Sequence, residues 1–226
     1  MKNKNTLGLY IVLEGVDFCG KSTIAKELVR LLSEKYGDYN VIHRREPSYE
    51  NYGAKMREVL FSGPMTEEKE IKAAEYMLLD RLENTTKVSG LLRENKIVIQ
   101  ERNFLTALVY NEAGHTDKIK FIQEANKLSL KPDHLVLISA SDSVIKYRID
   151  RAAEDRSATD DYESWDKVSA RKKAYFNFNE YIDEIMINDN SDSLIKILNR
   201  LLMYVEKNYN LMLNQAGPDV DNRGVK

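Results

Sequence analysis

Apolar positions along the chain follow two rhythms. Short runs mark strands at Leu7 to Leu13 (LGLYIVL), Tyr39 to Arg45, Lys96 to Gln100 (KIVIQ), His134 to Ser139 (HLVLIS) and Glu184 to Ile187. The first is rich in β-branched and aromatic residues and apolar on both faces, which suits a buried parallel strand. Between the runs the period lengthens. Lys21 to Tyr36 sets Ile24, Leu28, Leu31 and Leu32 on one stripe of a helix. Helical patterns also cover Met56 to Phe61, about Glu67 to Glu94, Ser143 to Ala153, a stretch after the charged EDRSATDD to about Asp183, and Ser191 to Lys207. Thr85, Thr86, Ser89 and Gly90 weaken the second of these near its middle. Strands alternating with helices predict an α/β fold with three layers, α/β/α, around a five-stranded parallel sheet. The polar tail over 214–226 contains Gly and Pro and is expected to be disordered. That leaves 1–213 as one expected domain.

Charge narrows the partners. Lys+Arg number 34 against Asp+Glu 36, a net charge of −2. Bulk electrostatic binding to nucleic acid needs a basic surface, so none is expected. The one cysteine permits no intrachain disulfide and fits a reducing, cytoplasmic compartment. No apolar stretch reaches the roughly 18 residues of a membrane span. His43, His115 and His134 are scattered, so no zinc site is expected. Trp165 and the aromatic run Tyr175 to Tyr181 are expected to pack the core.

Candidate chemistry begins where the first strand meets the first helix. Gly15-Val16-Asp17-Phe18-Cys19-Gly20-Lys21-Ser22 fits the phosphate-binding pattern G-x-x-x-x-G-K-[ST], with Thr23 following. Glycines let the backbone curl so that successive N–H groups face an anion. The helix beyond adds its positive end. Lys21 is expected to bridge the β- and γ-phosphates of ATP, and the Ser22 hydroxyl to ligate Mg²⁺. This loop implies a P-loop nucleotide fold but names no acceptor.

Ligands in open α/β sheets bind outside the carboxyl ends of the strands. Arg45-Glu46-Pro47 closes the second predicted strand and Glu101-Arg102 the third. Arg45 can grip an acceptor phosphate, and Arg102 either that phosphate or the transferring phosphoryl group, a catalytic role. Glu101, near Ser22, can hold Mg²⁺ directly or through water. Arg148, Arg151 and Arg156 surround the charged interruption, which reads as a lid over about 150–161. A lid arginine can stabilise the transferring phosphoryl group. Arg81 lies among Met77, Leu78, Leu79 and Leu82, where it either snorkels or hydrogen-bonds a flat heterocycle. Thr106, Tyr110 and Asn111 share a face just after the third strand and can complete a base pocket.

Together these motifs resemble the thymidylate kinase family, from about Leu7 to Tyr204: LEGVDFCGKST, REP, LLDR ending at Arg81, ERNFLTALVYN, KPDHLVLI and the lid around DRAAEDR. The resemblance implies transfer of the γ-phosphoryl of ATP to dTMP with Mg²⁺, in a homodimer. It implies that Asp17 contacts the sugar 3′-hydroxyl, that Arg45 and Arg102 hold the acceptor phosphate, that Arg81 reads a pyrimidine carbonyl, and that Thr106 and Asn111 border the base. Three positions depart from the family pattern. Phe18 stands where many members carry an arginine, which shifts the catalytic role to Arg151 and Arg156. Glu101-Arg102-Asn103 replaces Asp-Arg-Tyr. Met77 replaces a phenylalanine that stacks on thymine.

Three other readings fit parts of the pattern. With Met77 in place of the phenylalanine, a deoxynucleoside monophosphate kinase of other or broader base specificity fits. A deoxyribonucleoside kinase also has the loop, Glu-Pro and Glu-Arg, and there the Glu46 position would take a proton from a sugar 5′-hydroxyl. A non-catalytic nucleotide-binding module would leave the strand-end arginines without a role.

Overall fold

In the computed structural model, which describes residues 8–64, 66–110, 120, 124–127, 129–155 and 164–215, the central strand is β1, Leu9–Glu14. Its apolar side chains are wholly buried or nearly so. Burying each one stabilises the fold by about 1.5–3 kcal/mol. Helix α1 spans Lys21–Tyr36, β2 Val41–Arg45, α2 Asn51–Phe61, α3 Glu67–Arg93 and β3 Ile97–Glu101. Then follow α4 Phe104–Tyr110, β4 His134–Ser139, α5 Asp142–Asp155, α6 Trp165–Ala174, β5 Glu184–Ile187 and α7 Ser191–Gln215.

The strands pair in parallel in the order β2-β3-β1-β4-β5. Helix α1 packs on β2, β3 and α7, while α3 packs on β3 and touches α4, which meets α6. The expected three-layer α/β/α arrangement is present. In register, Leu13 lies beside Glu101, and Glu101 beside Arg45. The carboxyl ends of β1, β3 and β2 therefore meet at the loop that follows β1. Alternation along β2 and β3 sends His43 and Glu101 to the Ser22 side, and Arg44 and Gln100 to the side of Asn84 in α3.

Several boundaries differ from those read in the sequence. Helix α3 is unbroken for 27 residues. Asn84, Val88 and Leu92 are buried along it, so packing outweighs the low propensity of its middle. Helix α2 starts five residues earlier than Met56, at Asn51. Beyond Ala174 the chain tightens into a 3₁₀ turn over Tyr175–Tyr181 instead of continuing as an α-helix. Of that aromatic run, Tyr175 is buried and Phe176 is exposed. Helix α7 continues past Lys207 to Gln215, two residues into the stretch expected to be disordered. Tyr209 anchors the extension: it meets Tyr36 edge-on at 5.3 Å and donates to the Asn95 carbonyl at 2.6 Å. No helix among the described residues is long and apolar enough to cross a membrane.

Candidate active site

The loop between β1 and α1 is shaped by two glycines and two distant donors. Gly15 has φ of 142° and Gly20 φ of 89°. A Cβ on Gly15 would collide with the Ile138 carbonyl, and one on Gly20 with the Asn188 amide. Phe18 also takes a left-handed φ, 64°, a conformation that non-glycine residues adopt at a cost. Arg148 Nη1 donates to the Phe18 carbonyl at 3.0 Å, and Asn188 Nδ2 to the Cys19 carbonyl at 3.0 Å. In a trans peptide the N–H points opposite the carbonyl. Fastening these two carbonyls therefore turns the Cys19 and Gly20 N–H groups toward the opposite side, where they can meet a phosphate. Arg148 thus braces the loop from below, with its Nη2 on the Asn188 carbonyl at 2.9 Å. It is not part of an open lid.

Cys19 points inward. A thiol at a helix start can be reactive, but this one is wholly buried in the main core. It fills a small slot beside Gly15 and is shielded from alkylating agents. Thr23 faces solvent.

Lys21 is buried, with Nζ 3.1 Å from the Val16 carbonyl and 3.8 Å from Asp17 Oδ1. Burial first, then the Arg102 charge, pushes its pKa down, against the carboxylates of Asp17 and Glu101. Asp17 accepts from Arg102 Nη2 through Oδ1, and from Tyr110 Oη through Oδ2 at 2.8 Å. Burial would raise the Asp17 pKa, but Arg102, Lys21 and the Tyr110 hydroxyl together hold it well below the usual carboxylate range. Asp17 is an anion at the meeting point of two cations.

Ser22 Oγ donates to Glu101 Oε2, and His43 Nε2 lies 3.1 Å from Glu101 Oε1. Burial would raise the Glu101 pKa; hydrogen bonds from His43 and Ser22 and the charge of Arg45 bring it down to about 2. The carboxylate is therefore ionised at neutral pH. A hydroxyl and an ionised carboxylate at the head of a phosphate-binding helix are oxygen donors of the kind Mg²⁺ takes when it keeps its waters and the phosphates as further ligands. The pair fits that ion. Among the described residues no three His, Cys, Asp or Glu side chains converge on a metal site.

At the ends of β2 and β3 three guanidinium groups gather. Arg45 Nη1 donates to Tyr49 Oη at 2.6 Å, while its Nε is buried with no hydrogen-bond partner among the described residues. Arg57, from α2, was not singled out in the sequence. Its guanidinium sits 4.4 Å from the Tyr49 ring centre and Nη2 donates to the Pro47 carbonyl at 2.8 Å. Burial first, then the nearby charges of Arg45 and Arg102, lowers its pKa. Arg102 has φ of 63°, fixed by its own N–H on the Leu13 carbonyl at 2.9 Å and its carbonyl on Gln100 Nε2 at 2.8 Å. Burial would lower the Arg102 pKa, but Asp17 leads the groups that raise it well above normal. Such a cluster of cations, one with an orphan donor, is built for an anion of more than one charge.

The base side is more closed than expected. Arg81 is buried, with Nε on Glu46 at 2.7 Å, Nη2 on the Asn103 carbonyl at 2.9 Å, and Nη1 on Asn126. Met77 packs with Met56, Ala73 and Ala107 in a small apolar cluster. Thr106 is turned inward. Its hydroxyl donates to Glu14 Oε2 at 2.6 Å and it is 3% exposed. Glu14 is the other residue the sequence did not reveal. Wholly buried at the end of β1, it also accepts from the backbone N–H of Asn103 (2.8 Å) and Thr106 (3.1 Å) and from Tyr175 Oη (2.9 Å). It thereby sets the start of α4, the helix that carries Tyr110 to Asp17. Burial pushes the Tyr110 hydroxyl up to about 12, so it remains a donor. Arg171 of α6 lies 4.1 Å from the Tyr110 ring centre.

Arg151 is exposed, with Nη1 on Tyr147 Oη of its own helix at 3.2 Å. Asn111 and Arg156 lie outside the described residues, as does the middle of the expected lid.

The comparisons with known proteins agree with one another. A family model described as thymidylate kinase matches residues 13–201. The chain is 28% identical over 209 residues to the probable thymidylate kinase of Thermococcus gammatolerans, covering 89% of this chain and 97% of that protein. It is 30% identical over 165 residues to the thymidylate kinase of Anaplasma phagocytophilum, covering 71% of this chain and 73% of that protein. Among solved structures, thymidylate kinase from Ehrlichia chaffeensis aligns with a TM-score of 0.62 at 21% identity, covering 86% of this chain and 98% of that one. The Candida albicans enzyme, described as broad in substrate specificity, aligns at 0.63 and 17%, covering 89% and 93%. Both structures share the fold.

Proposed function

The chain belongs to the thymidylate kinase family, and we propose how its own residues move the γ-phosphoryl group of ATP to dTMP, giving dTDP and ADP. The observation that carries this reading is the cation cluster. Arg45, Arg57 and Arg102 meet beside the phosphate loop, and a buried donor on Arg45 has no partner among the described residues. An acceptor that already bears a phosphate uses these charges; a bare nucleoside does not. Glu46 supports the same side of the choice. A nucleoside kinase needs this carboxylate as base, yet here Glu46 is 3% exposed and engaged by Arg81, Asn84 (2.8 Å) and Gln100 (3.1 Å).

ATP lies with its phosphates over the loop from Gly15 to Thr23, on the Cys19 and Gly20 N–H groups and the start of α1. Lys21 spans the β- and γ-phosphates. Ser22 and Glu101 would hold Mg²⁺, which would neutralise phosphate charge. Arg45, Arg57 and Arg102 clamp the phosphate of dTMP in line with the γ-phosphorus. Positioning and charge supply the acceleration, since the transferring group needs little covalent help. Arg102 touches both sides, through Asp17 toward Lys21 and through Tyr110 toward the acceptor. Asp17 takes the sugar 3′-hydroxyl. Arg81, reached by exchange of Asn126 for a pyrimidine carbonyl, reads the base beside Met77, Tyr110 and Asn111. Arg151 or Arg156 closes from the lid onto the γ-phosphoryl. The enzyme works in the cytoplasm as a homodimer.

Arg45→Ala is expected to raise KM for dTMP by about tenfold or more, the loss of one charge-assisted hydrogen bond, with KM for ATP little changed. Steady-state kinetics with each substrate varied in turn check this. Equal KM values for dTMP in the variant and the parent would remove Arg45 from the acceptor site.

A further inference from the structure

We propose that His43 is a positioning residue for the metal-binding carboxylate: it holds one oxygen of Glu101 so that the other faces Ser22 and the divalent cation. This rests on the reading of Ser22 and Glu101 as the metal ligands.

The geometry is set by the sheet. In the β2–β3 register Arg45 sits beside Glu101 and His43 beside Ile99. Residues two apart on a strand share a face, so His43, Arg45 and Glu101 crowd together on one side, over the start of α1. The two Glu101 oxygens are divided between two donors. Oε2 takes the Ser22 hydroxyl and Oε1 takes His43 Nε2. An ionised carboxylate only accepts, so the imidazole nitrogen there carries the proton. The Glu101 side chain is 3% exposed and that of His43 29%, so the imidazole stands between the carboxylate and water.

Glutamate makes this support necessary. It has one more rotatable bond than aspartate, and each free torsion near a ligand costs affinity when it is fixed. Clamping Oε1 fixes the torsions before the cation arrives. Losing a partner of this kind, one hydrogen bond behind a metal ligand, typically costs about 10–100-fold in metal affinity.

The test uses Mn²⁺ in place of Mg²⁺, with unbound Mn²⁺ measured by electron paramagnetic resonance in the presence of ADP. His43→Ala is expected to weaken Mn²⁺ by about tenfold, within the range for such partners. His43→Gln, whose amide N–H can reach the same oxygen, is expected to recover most of the loss. In the Glu101→Asp background the shorter carboxylate no longer reaches the imidazole, so His43→Ala is expected to change Mn²⁺ affinity by less than about twofold, as sites that do not interact do. Metal-free ADP affinity should be equal in His43→Ala, His43→Gln and the parent. Unchanged Mn²⁺ affinity in His43→Ala overturns the proposal, as does the same loss in the Glu101→Asp background. Glu101→Gln separates the layers. If it leaves Mn²⁺ binding unchanged, the metal-ligand reading fails and the role of His43 with it. If it weakens binding while His43→Ala does not, only the role of His43 is lost.

Discussion

Arg102→Ala is expected to lower kcat/KM for dTMP by about 10³-fold, the lower end of what an arginine on a transferring phosphoryl group contributes. Three features set the size. The guanidinium is buried, so its charge acts in a low dielectric. It is held in place by Asp17, Tyr110 at 3.1 Å and a left-handed backbone, so it needs no reorganisation during reaction. It also reaches from the acceptor side to the loop acid. Its removal leaves Asp17 with Lys21 and the Tyr110 hydroxyl and draws that lysine from its phosphate. Both kcat and KM for dTMP should therefore suffer. Arg102→Lys should recover only part of the loss, because a point charge cannot replace the fork that meets Asp17 and Tyr110 together. Steady-state kinetics decide the matter. Retention of kcat/KM within about tenfold would mean that another group carries this charge.

Glu14→Ala is expected to destabilise the protein by about 4 kcal/mol, since it orphans several buried donors at about 1–3 kcal/mol each. The donors are the backbone N–H groups of Asn103 and Thr106 and the hydroxyls of Thr106 and Tyr175. For a chain of this size that is a fall in Tm of roughly 10 °C. Glu14→Gln keeps the shape but sets an amide N–H against donors, so it should lose an intermediate amount. Thermal unfolding followed by circular dichroism measures both. A loss below about 1 kcal/mol in Glu14→Ala would show that the four donors find other partners. Activity should fall too, because the same carboxylate fixes the start of α4 and thereby Tyr110.

What the sequence revealed and what it concealed follow from distance along the chain. The loop from Gly15 to Ser22 is local, so its glycines, lysine and serine are legible at once. Arg45, Glu101 and Arg102 are legible through one positional rule about strand ends. Strands β4 and β5 fall where their apolar runs place them. The concealed residues act across long separations. Glu14 meets Tyr175 from 161 positions away, and Arg148 meets Phe18 from 130. A lone glutamate at the end of an apolar run was the one local sign of Glu14. Arg57 gave no sign, since a single arginine on a short helix is ordinary. Thr106 and Tyr110 do share a helix face, as their spacing requires, but that face turns toward Glu14 and Asp17. Helix ends were misplaced where a single anchor, such as Tyr209, overrides polar neighbours.

A phosphorylated acceptor is the centre of the proposed function, and one assay addresses it directly. The purified chain is incubated with Mg²⁺ and ATP, and with either dTMP or thymidine, and the nucleotides are separated by chromatography. dTDP from dTMP, with thymidine untouched, is the predicted result. Conversion of thymidine to dTMP, with no dTDP formed from dTMP, would contradict it.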